Sequence, residues 1–413
     1  MKNLFETLRD RGYIYQSTDE ENIKNTLNGE PVTFYLGIDP TADSLHIGHF
    51  FALMMFRYLQ DAGHRGILVV GGATALIGDP TGKSDMRKML SKEQVQHNVE
   101  EVKDIAKKFI KTEGENAAII LSNEEWMKGY DFIDFMRDIG VHFNVNKMLS
   151  SEVYDSRLKE GGLTFLEMGY MLMQSYDFAV LNKKYGCTLQ IGGSDQWGNI
   201  VSGVNLIRKL NLINENVGNN VYGITCPLLT TKEGKKMGKT ENGALWVVRE
   251  KTSVFDFYQY FYNVNDEDVE TLLRLFTRLS LEDIKNQCNS DIINAKKTMA
   301  YEITKIVHGE EEAKNAKEAS EALFSKNSVT EDVPTAEISK NALEAGIAIV
   351  DLMTSIKFTA SKSEARRLID QGGISVNNEK VNDSSMVIDE KFFEKGYVLL
   401  KKGKKSYIKV VVK

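Results

Sequence analysis

Four short apolar runs, at residues 32–36, 66–70, 117–121 and 188–191, alternate with stretches of helical periodicity through the first half of the chain. Apolar runs of this length fit strands buried on both faces, and strand–helix alternation builds a doubly wound parallel sheet. The predicted class is therefore α/β, with a Rossmann-like first domain whose ligands bind beyond the carboxyl ends of the strands. Asp39, residues 71–79 and residues 192–196 all fall at such ends, so one sheet edge should gather the site.

The first run leads into a turn and a helix, Phe-Tyr-Leu-Gly-Ile-Asp-Pro-Thr-Ala-Asp-Ser-Leu-His-Ile-Gly-His at residues 34–49. Gly37, Asp39 and Pro40 break the strand, and from about Leu45 a helix follows with Ile47, Phe50, Phe51, Met54 and Tyr58 on one face. A strand passing into a helix N-terminus presents unpaired backbone N–H groups and partial positive charge, which suits phosphate. His46 and His49 add donors there and Gly48 leaves the backbone approachable; two ordinary helix-start histidines are the plainer alternative. Further on, a helix expected over 166–181 is strongly apolar, and inside it Tyr170, Gln174 and Asp177 fall at offsets 0, 4 and 7 on one face. Such a polar stripe on a buried helix needs partners, either a structural network or a ligand. The stretch Gly-Asp-Pro-Thr-Gly-Lys-Ser at 78–84 falls short of a phosphate loop, which needs four residues between its glycines.

Three segments carry a resemblance. His-Ile-Gly-His after the Pro-Thr turn, with Tyr35, Gly37, Asp39, Pro40 and Thr41 before it, resembles the signature of class I aminoacyl-tRNA synthetases, and in detail their bacterial-type tyrosyl branch. Gln-Ile-Gly-Gly-Ser-Asp-Gln-Trp-Gly-Asn at 190–199 and Lys-Lys-Met-Gly-Lys-Thr-Glu-Asn-Gly at 235–243 follow in the family's order. The second of these has Gly238 and Thr240 where the commonest form of the lysine loop has serines. The resemblance spans essentially the whole chain. It implies ATP-dependent activation of L-tyrosine to tyrosyl-adenylate and pyrophosphate, then transfer to the terminal ribose of tRNA(Tyr), with Mg²⁺ travelling with the ATP. It places the phenolic hydroxyl of tyrosine on Tyr35 and Asp177 and its ammonium on Tyr170, Gln174 and Asp79. Gly37, Asp39, Gln190 and Gln196 complete that pocket. ATP falls to Asp39, His46, Gly48, His49, Gly192, Gly193, Asp195 and Lys239, with Asp195 accepting from the ribose. Charge building on the phosphates would meet Thr41, His46, His49, Lys83, Arg87, Lys236, Lys239 and Thr240. A catalytically silent RNA-binding relative and a tryptophanyl enzyme are the competing readings.

The net charge of −6 opposes RNA binding only as an average, because residues 350–413 hold 13 Lys or Arg against 8 Asp or Glu. A basic tail on an acidic body suits a module that meets RNA. The expected domains are a Rossmann-like catalytic domain at 1–245 and a small α-helical anticodon-arm domain at 246–324. A linker at 325–348 and an α+β RNA-binding domain of ribosomal-protein type at 349–413 complete the chain. In that last domain Lys362, Arg366 and Arg367 share a helix face that can follow a phosphate backbone. Arg208 and Lys209 are candidates for the acceptor stem by the resemblance alone. The dense apolar residues of 131–149 read equally as core or as the family's homodimer contact. Cys187, Cys226 and Cys288 show no metal spacing, so no metal site and no disulfide is expected, in a reduced cytoplasmic setting. No apolar run approaches the ~18 residues of a membrane span.

Overall fold

The computed structural model describes residues 3–80, 89–160, 162–213, 220–234, 236–240, 243–324, 334–340, 343, 346–377, 379–393, 396–403 and 406–413. It divides into two compact units, Met1–Val248 with Arg274–Leu281, and Arg249–Leu273 with Glu282–Lys413.

The first unit is built on a six-stranded sheet with strands β1 (Gln16–Ser17), β2 (Thr33–Ile38), β3 (Arg65–Val70), β4 (Ile119–Ser122), β5 (Cys187–Gly193) and β6 (Tyr222–Cys226). Their spatial order is β1-β6-β5-β2-β3-β4, parallel throughout except for β1, which runs antiparallel at the edge against β6. Four of the strands stand where the apolar runs predict them. The edge strand β1 is two polar residues, and β6 is interrupted by Gly223 and Thr225, so neither carries a run that marks it. The order reverses between β2 and β5, the place where a doubly wound sheet opens a crevice at its carboxyl edge. Register sets Tyr35 of β2 beside Gln190 of β5 and Ile67 of β3, so the Tyr35 and Gln190 side chains leave the sheet on one face.

Helix α1 (Ile47–Asp61) buries Phe50, Phe51, Met54 and Tyr58, as its periodicity requires, and begins two residues later than expected. Helix α2 (Lys92–Lys107) is capped by Ser91 and turns Val95, Val99, Val102 and Ile105 inward. Helix α3 (Phe165–Tyr185) starts with a reciprocal Thr164–Glu167 cap, Glu167 also meeting the buried Arg157 guanidinium at 2.7 Å, and ends at Gly186. Helix α4 (Trp197–Ile213) follows β5. The buried Arg11 guanidinium donates to the carbonyls of Arg274 at 3.0 Å, Thr277 at 2.9 Å and Leu279 at 2.6 Å, which holds the stretch 274–281 in this unit.

The second unit opens with a helical bundle including α5 (Val254–Tyr262), α6 (Ile292–His308) and α7 (Glu310–Phe324), the first capped by Ser253 on the Asp256 N–H. Its sheet runs in the order Glu379–Lys380, Ile374–Val376, Tyr397–Lys402, Ser406–Val412, Thr335–Ile338. Thr335–Ile338 lies inside the stretch expected as linker. It pairs in parallel with Ser406–Val412 and buries Ile338, a tertiary pairing that four residues after a proline do not advertise. Before the sheet's Ile374–Val376 strand runs α8 (Lys362–Asp370), capped by Ser361. Among the described residues no helix is long and apolar enough to cross a membrane.

Candidate functional site

A cavity of about 510 Å³ opens at the carboxyl ends of the central strands in the first unit. Its deep end is set by Asp177 of α3, which is 4% exposed. Trp126 Nε1 donates to its Oδ1 at 2.7 Å and Asn123 Nδ2 donates to its Oδ2 at 3.1 Å. Burial outweighs these two donors and, with the nearby Asp39 charge, pushes the carboxyl up to about 7. Three polar atoms around it are buried without a hydrogen-bond partner: Tyr35 OH, Gln174 Oε1 and Gln190 Oε1. All three residues line the cavity. An unmade buried hydrogen bond costs roughly 1–3 kcal/mol, so three among the lining residues describe a cavity completed by a polar ligand. Burial first, and the Asp177 charge second, holds the Tyr35 phenol well above its ordinary range, so it stays a neutral donor.

Two further carboxylates face the same space. Asp39 accepts from Thr74 Oγ1 at 2.7 Å and from Tyr170 OH at 2.9 Å. Gly71 makes that possible: a Cβ there would lie 2.0 Å from Asp39 Oδ1 and 2.3 Å from Thr74 Oγ1. Asp79 accepts from Gln196 Nε2 at 2.6 Å, and Gln196 Oε1 accepts from Asn199 at 3.1 Å. Asp39, Asp79 and Asp177, three of the four acids that line the cavity, favour a cationic group among them.

The other end of the cavity is lined by Thr41, His46, Gly48, His49, Gly192, Gly193, Asp195 and Lys236. Here the structure corrects the expectation of unpaired N–H groups. His46 is the N-cap of α1: its Nδ1 accepts from the N–H of Gly48 at 3.1 Å and of His49 at 3.4 Å, while His49 Nδ1 accepts from the His46 N–H at 3.3 Å. The Ile47 N–H goes to the Leu245 carbonyl at 3.0 Å. The helix end is thus satisfied from within, because an imidazole nitrogen at the N-cap does the work of a serine oxygen. The two rings stack at 3.9 Å. Burial lowers the His46 pKa, so its ring is neutral, and with Nδ1 accepting the proton belongs on Nε2 as a donor.

Beside this end, Leu245 N–H donates to Gly238 O at 2.7 Å and Val247 N–H to Leu45 O at 3.0 Å, stitching the lysine segment to the start of α1. Gly238 has φ +80°, and a Cβ there would meet Ile47 Cγ2 at 2.4 Å, so this close seat admits only glycine. Lys239 and Thr240 form a two-residue strand paired with Gly243–Ala244; their side chains lie outside what the structure describes. Lys83 and Arg87 lie outside the described residues altogether. Arg208 and Lys209, on α4, do not line the cavity, and the Lys209 ammonium donates to the His142 carbonyl. Lys362, Arg366 and Arg367 stand exposed on α8 in the second unit, where Lys362 pairs with Asp351 at 2.6 Å. The sequence reading placed 71–79 at the site without singling out Gly71 or Thr74, and it missed Asn123 and Trp126. Their partners lie 35–54 positions away or, for Gly71, are felt only as crowding, and only the third dimension reveals them.

Residues 27–325 match the family of tRNA synthetases class I (W and Y), and residues 326–410 match the tyrosine–tRNA ligase SYY-like C-terminal domain. The chain is 51% identical to the tyrosine–tRNA ligase of Clostridium kluyveri over 416 residues, covering 100% of both. It is 50% identical to the tyrosine–tRNA ligase of Clostridium tetani over 413 residues, covering 99% of both. Among solved structures it is similar to a C-terminally truncated mitochondrial tyrosyl-tRNA synthetase of Aspergillus nidulans, with TM-score 0.70 and 29% identity over 78% of this chain and 95% of that one.

Proposed function

The chain belongs to the class I tRNA synthetases of the tryptophan and tyrosine type, and from that premise we infer that it works as a tyrosine–tRNA ligase. It activates L-tyrosine with ATP to tyrosyl-adenylate and pyrophosphate, then transfers the tyrosyl group to the terminal ribose of tRNA(Tyr). One observation carries the choice of tyrosine: the unpartnered Tyr35 hydroxyl beside the doubly clamped Asp177 at the cavity's deep end. A phenolic hydroxyl donates to the carboxylate and pairs with Tyr35, whereas phenylalanine leaves the buried Tyr35 hydroxyl without a partner and gives Asp177 no donor beyond its two clamps. The ammonium of the amino acid sits among Asp79, Tyr170 and Gln174, with Asp39 behind Tyr170. Gln196 sits near the carboxylate, and Gln190 supports the pocket behind it.

The reaction needs no covalent enzyme intermediate. The tyrosine carboxylate attacks the α-phosphate in line, the bond to the bridging oxygen breaks, and pyrophosphate leaves with the electron pair. ATP lies along Gly48, Gly192 and Gly193, with Asp195 accepting from its ribose. His46 Nε2–H, His49, Thr41, Lys236, Lys239 and Thr240 stabilise the charge that grows on the departing phosphates, with Lys83 and Arg87 as further cations. Mg²⁺ enters as part of the nucleotide substrate. The exposed Arg366 and Arg367, with Lys362 beside them, meet the tRNA backbone, and Arg208 and Lys209 face the acceptor stem.

A homodimer is part of the same proposal. Phe132, Ile133, Val141, Val145 and Phe165 are each more than half exposed, far from the core reading of 131–149 and suited to a second copy. Setting and membrane association follow the family: a cytoplasmic enzyme without a membrane partner.

The decisive experiment is ATP–pyrophosphate exchange with tyrosine, phenylalanine and tryptophan side by side. Tyrosine should drive exchange and the other two should not. Equal exchange with tryptophan, or none with tyrosine while tRNA still binds, would overturn the reading.

A further inference from the structure

The turn that carries Asp39 and Thr41 is held from three sides. The Thr41 N–H closes a tight turn on the Asp39 carbonyl at 2.9 Å, centred on Pro40. Thr74 and Tyr170 hold the Asp39 carboxylate. The third hold comes from α2: Asn98 Nδ2 donates to the Pro40 carbonyl at 3.0 Å, while Asn98 Oδ1 accepts from Gln94 Nε2 at 2.9 Å.

Asn98 is 2% exposed and occupies an inward position of α2 together with Val95, Val99 and Val102. A leucine in that place would bury more apolar surface and need no partners, so a buried amide there costs free energy unless its bonds go somewhere useful. Among the described residues, its one side-chain bond outside its own helix goes to the Pro40 carbonyl. Proline has no N–H, so the carbonyl is the handle by which this peptide can be gripped from the α2 side. Rotation of that peptide turns Thr41, the next residue, which lines the nucleotide end of the cavity.

We propose that Asn98 is a positioning residue for the activation step: without touching substrate it fixes the Pro40 peptide from α2 and so aims Thr41 at the phosphates of ATP. This rests on the assignment of Thr41 to those phosphates. Gln94 serves Asn98 in turn, fixing the amide so that its nitrogen points to Pro40.

Asn98→Leu, Gln94→Ala, Thr41→Ala and the Asn98→Leu/Thr41→Ala pair test this. Each is measured for tyrosine affinity by equilibrium dialysis without ATP, for kcat and KM(ATP) in pyrophosphate exchange, and for thermal midpoint. Misaiming a group by a fraction of its length costs up to about 10²-fold in rate, so Asn98→Leu should lower kcat roughly ten- to hundredfold. Its tyrosine affinity should stay within about twofold of the wild type, since the deep end of the cavity is untouched. Gln94→Ala, at an exposed position, should fold normally and lower kcat about two- to fivefold, as expected for one supporting hydrogen bond. In the Thr41→Ala background, adding Asn98→Leu should change kcat by less than about twofold, the signature of two residues acting through one contact. A fall in thermal midpoint with kcat unchanged in both Asn98→Leu and Gln94→Ala would reduce Asn98 to a core residue and overturn the proposal. So would full additivity with Thr41→Ala. If Thr41→Ala itself leaves exchange unchanged, the assignment of Thr41 falls and this inference with it; if Thr41→Ala is slow but Asn98→Leu is not, only the inference falls.

Discussion

The two ends of the cavity solve opposite problems. At the deep end, Asp177 is clamped by Trp126 and Asn123 while Tyr35, Gln174 and Gln190 each keep a buried polar atom without a partner. At the nucleotide end, the first N–H groups of α1 are already taken by His46 and by the Leu245 carbonyl. One end stays incomplete until a ligand arrives, and its cost when empty is what makes the wrong ligand unwelcome. The other is complete by itself and keeps only outward donors such as His46 Nε2–H for charge that appears during reaction. Selection lives where groups are missing partners; acceleration lives where they are not.

Four substitutions or conditions would break or sharpen that contrast. The largest effect belongs to His46→Ala, which should slow adenylate formation by ~10²–10³, as for loss of one transition-state donor, with tyrosine affinity nearly unchanged. Equal losses in both would erase the contrast. Asp177→Asn should do the reverse, weakening tyrosine binding by about 10² through loss of a charge-assisted hydrogen bond, with the rate of bound substrate falling far less. Trp126→Phe removes one of the two clamps and should weaken tyrosine binding about tenfold in equilibrium dialysis.

The smallest effect is a pH dependence. The Asp177 carboxyl, ordinarily at 3.8, stands at about 7 in the empty protein, and a phenolic donor favours its ionised form. Tyrosine affinity should therefore rise as pH climbs through about 7, by at most about tenfold per pH unit below it. The slope should vanish in Asp177→Asn. Because this folded pKa is raised, the empty protein gains stability from it at low pH and loses that gain as pH rises from about 4 through about 7. A melting curve without tyrosine that moves the other way over that window, relative to Asp177→Asn, would contradict the assignment.

The contrast also explains what could be read from the sequence. The deep end announces itself: three polar residues at offsets 0, 4 and 7 share one face of the largely buried α3, and β2 and β5 are apolar enough to place Tyr35 and Gln190 on the sheet. Asn123 and Trp126 give no such signal, since a polar residue after a strand and a lone tryptophan are commonplace until Asp177 is seen between them. At the nucleotide end the histidines were visible but their bonding was not. A strand–turn–helix pattern predicts free N–H groups, and only the placement of His46 at the N-cap shows that its own ring consumes them. Gly238 stands in the sequence only as a departure from the commoner serine; the left-handed φ and the nearness of Ile47 show it to be a close seat that fastens the segment. The segment 325–348 reads as linker because of Pro334 and its few large apolar residues, and the strand Thr335–Ile338 within it forms by pairing with Ser406–Val412.

The reciprocal cap of His46 and His49 has a consequence for turnover. Pyrophosphate departing from a helix whose end depended on it would leave a frayed terminus to be rebuilt before the next nucleotide could enter. Here the terminus is sealed by the His46 and His49 rings and the Leu245 carbonyl, so under the proposed function the vacated groove keeps its receiving shape. On that reading, successive cycles need no repair step between them.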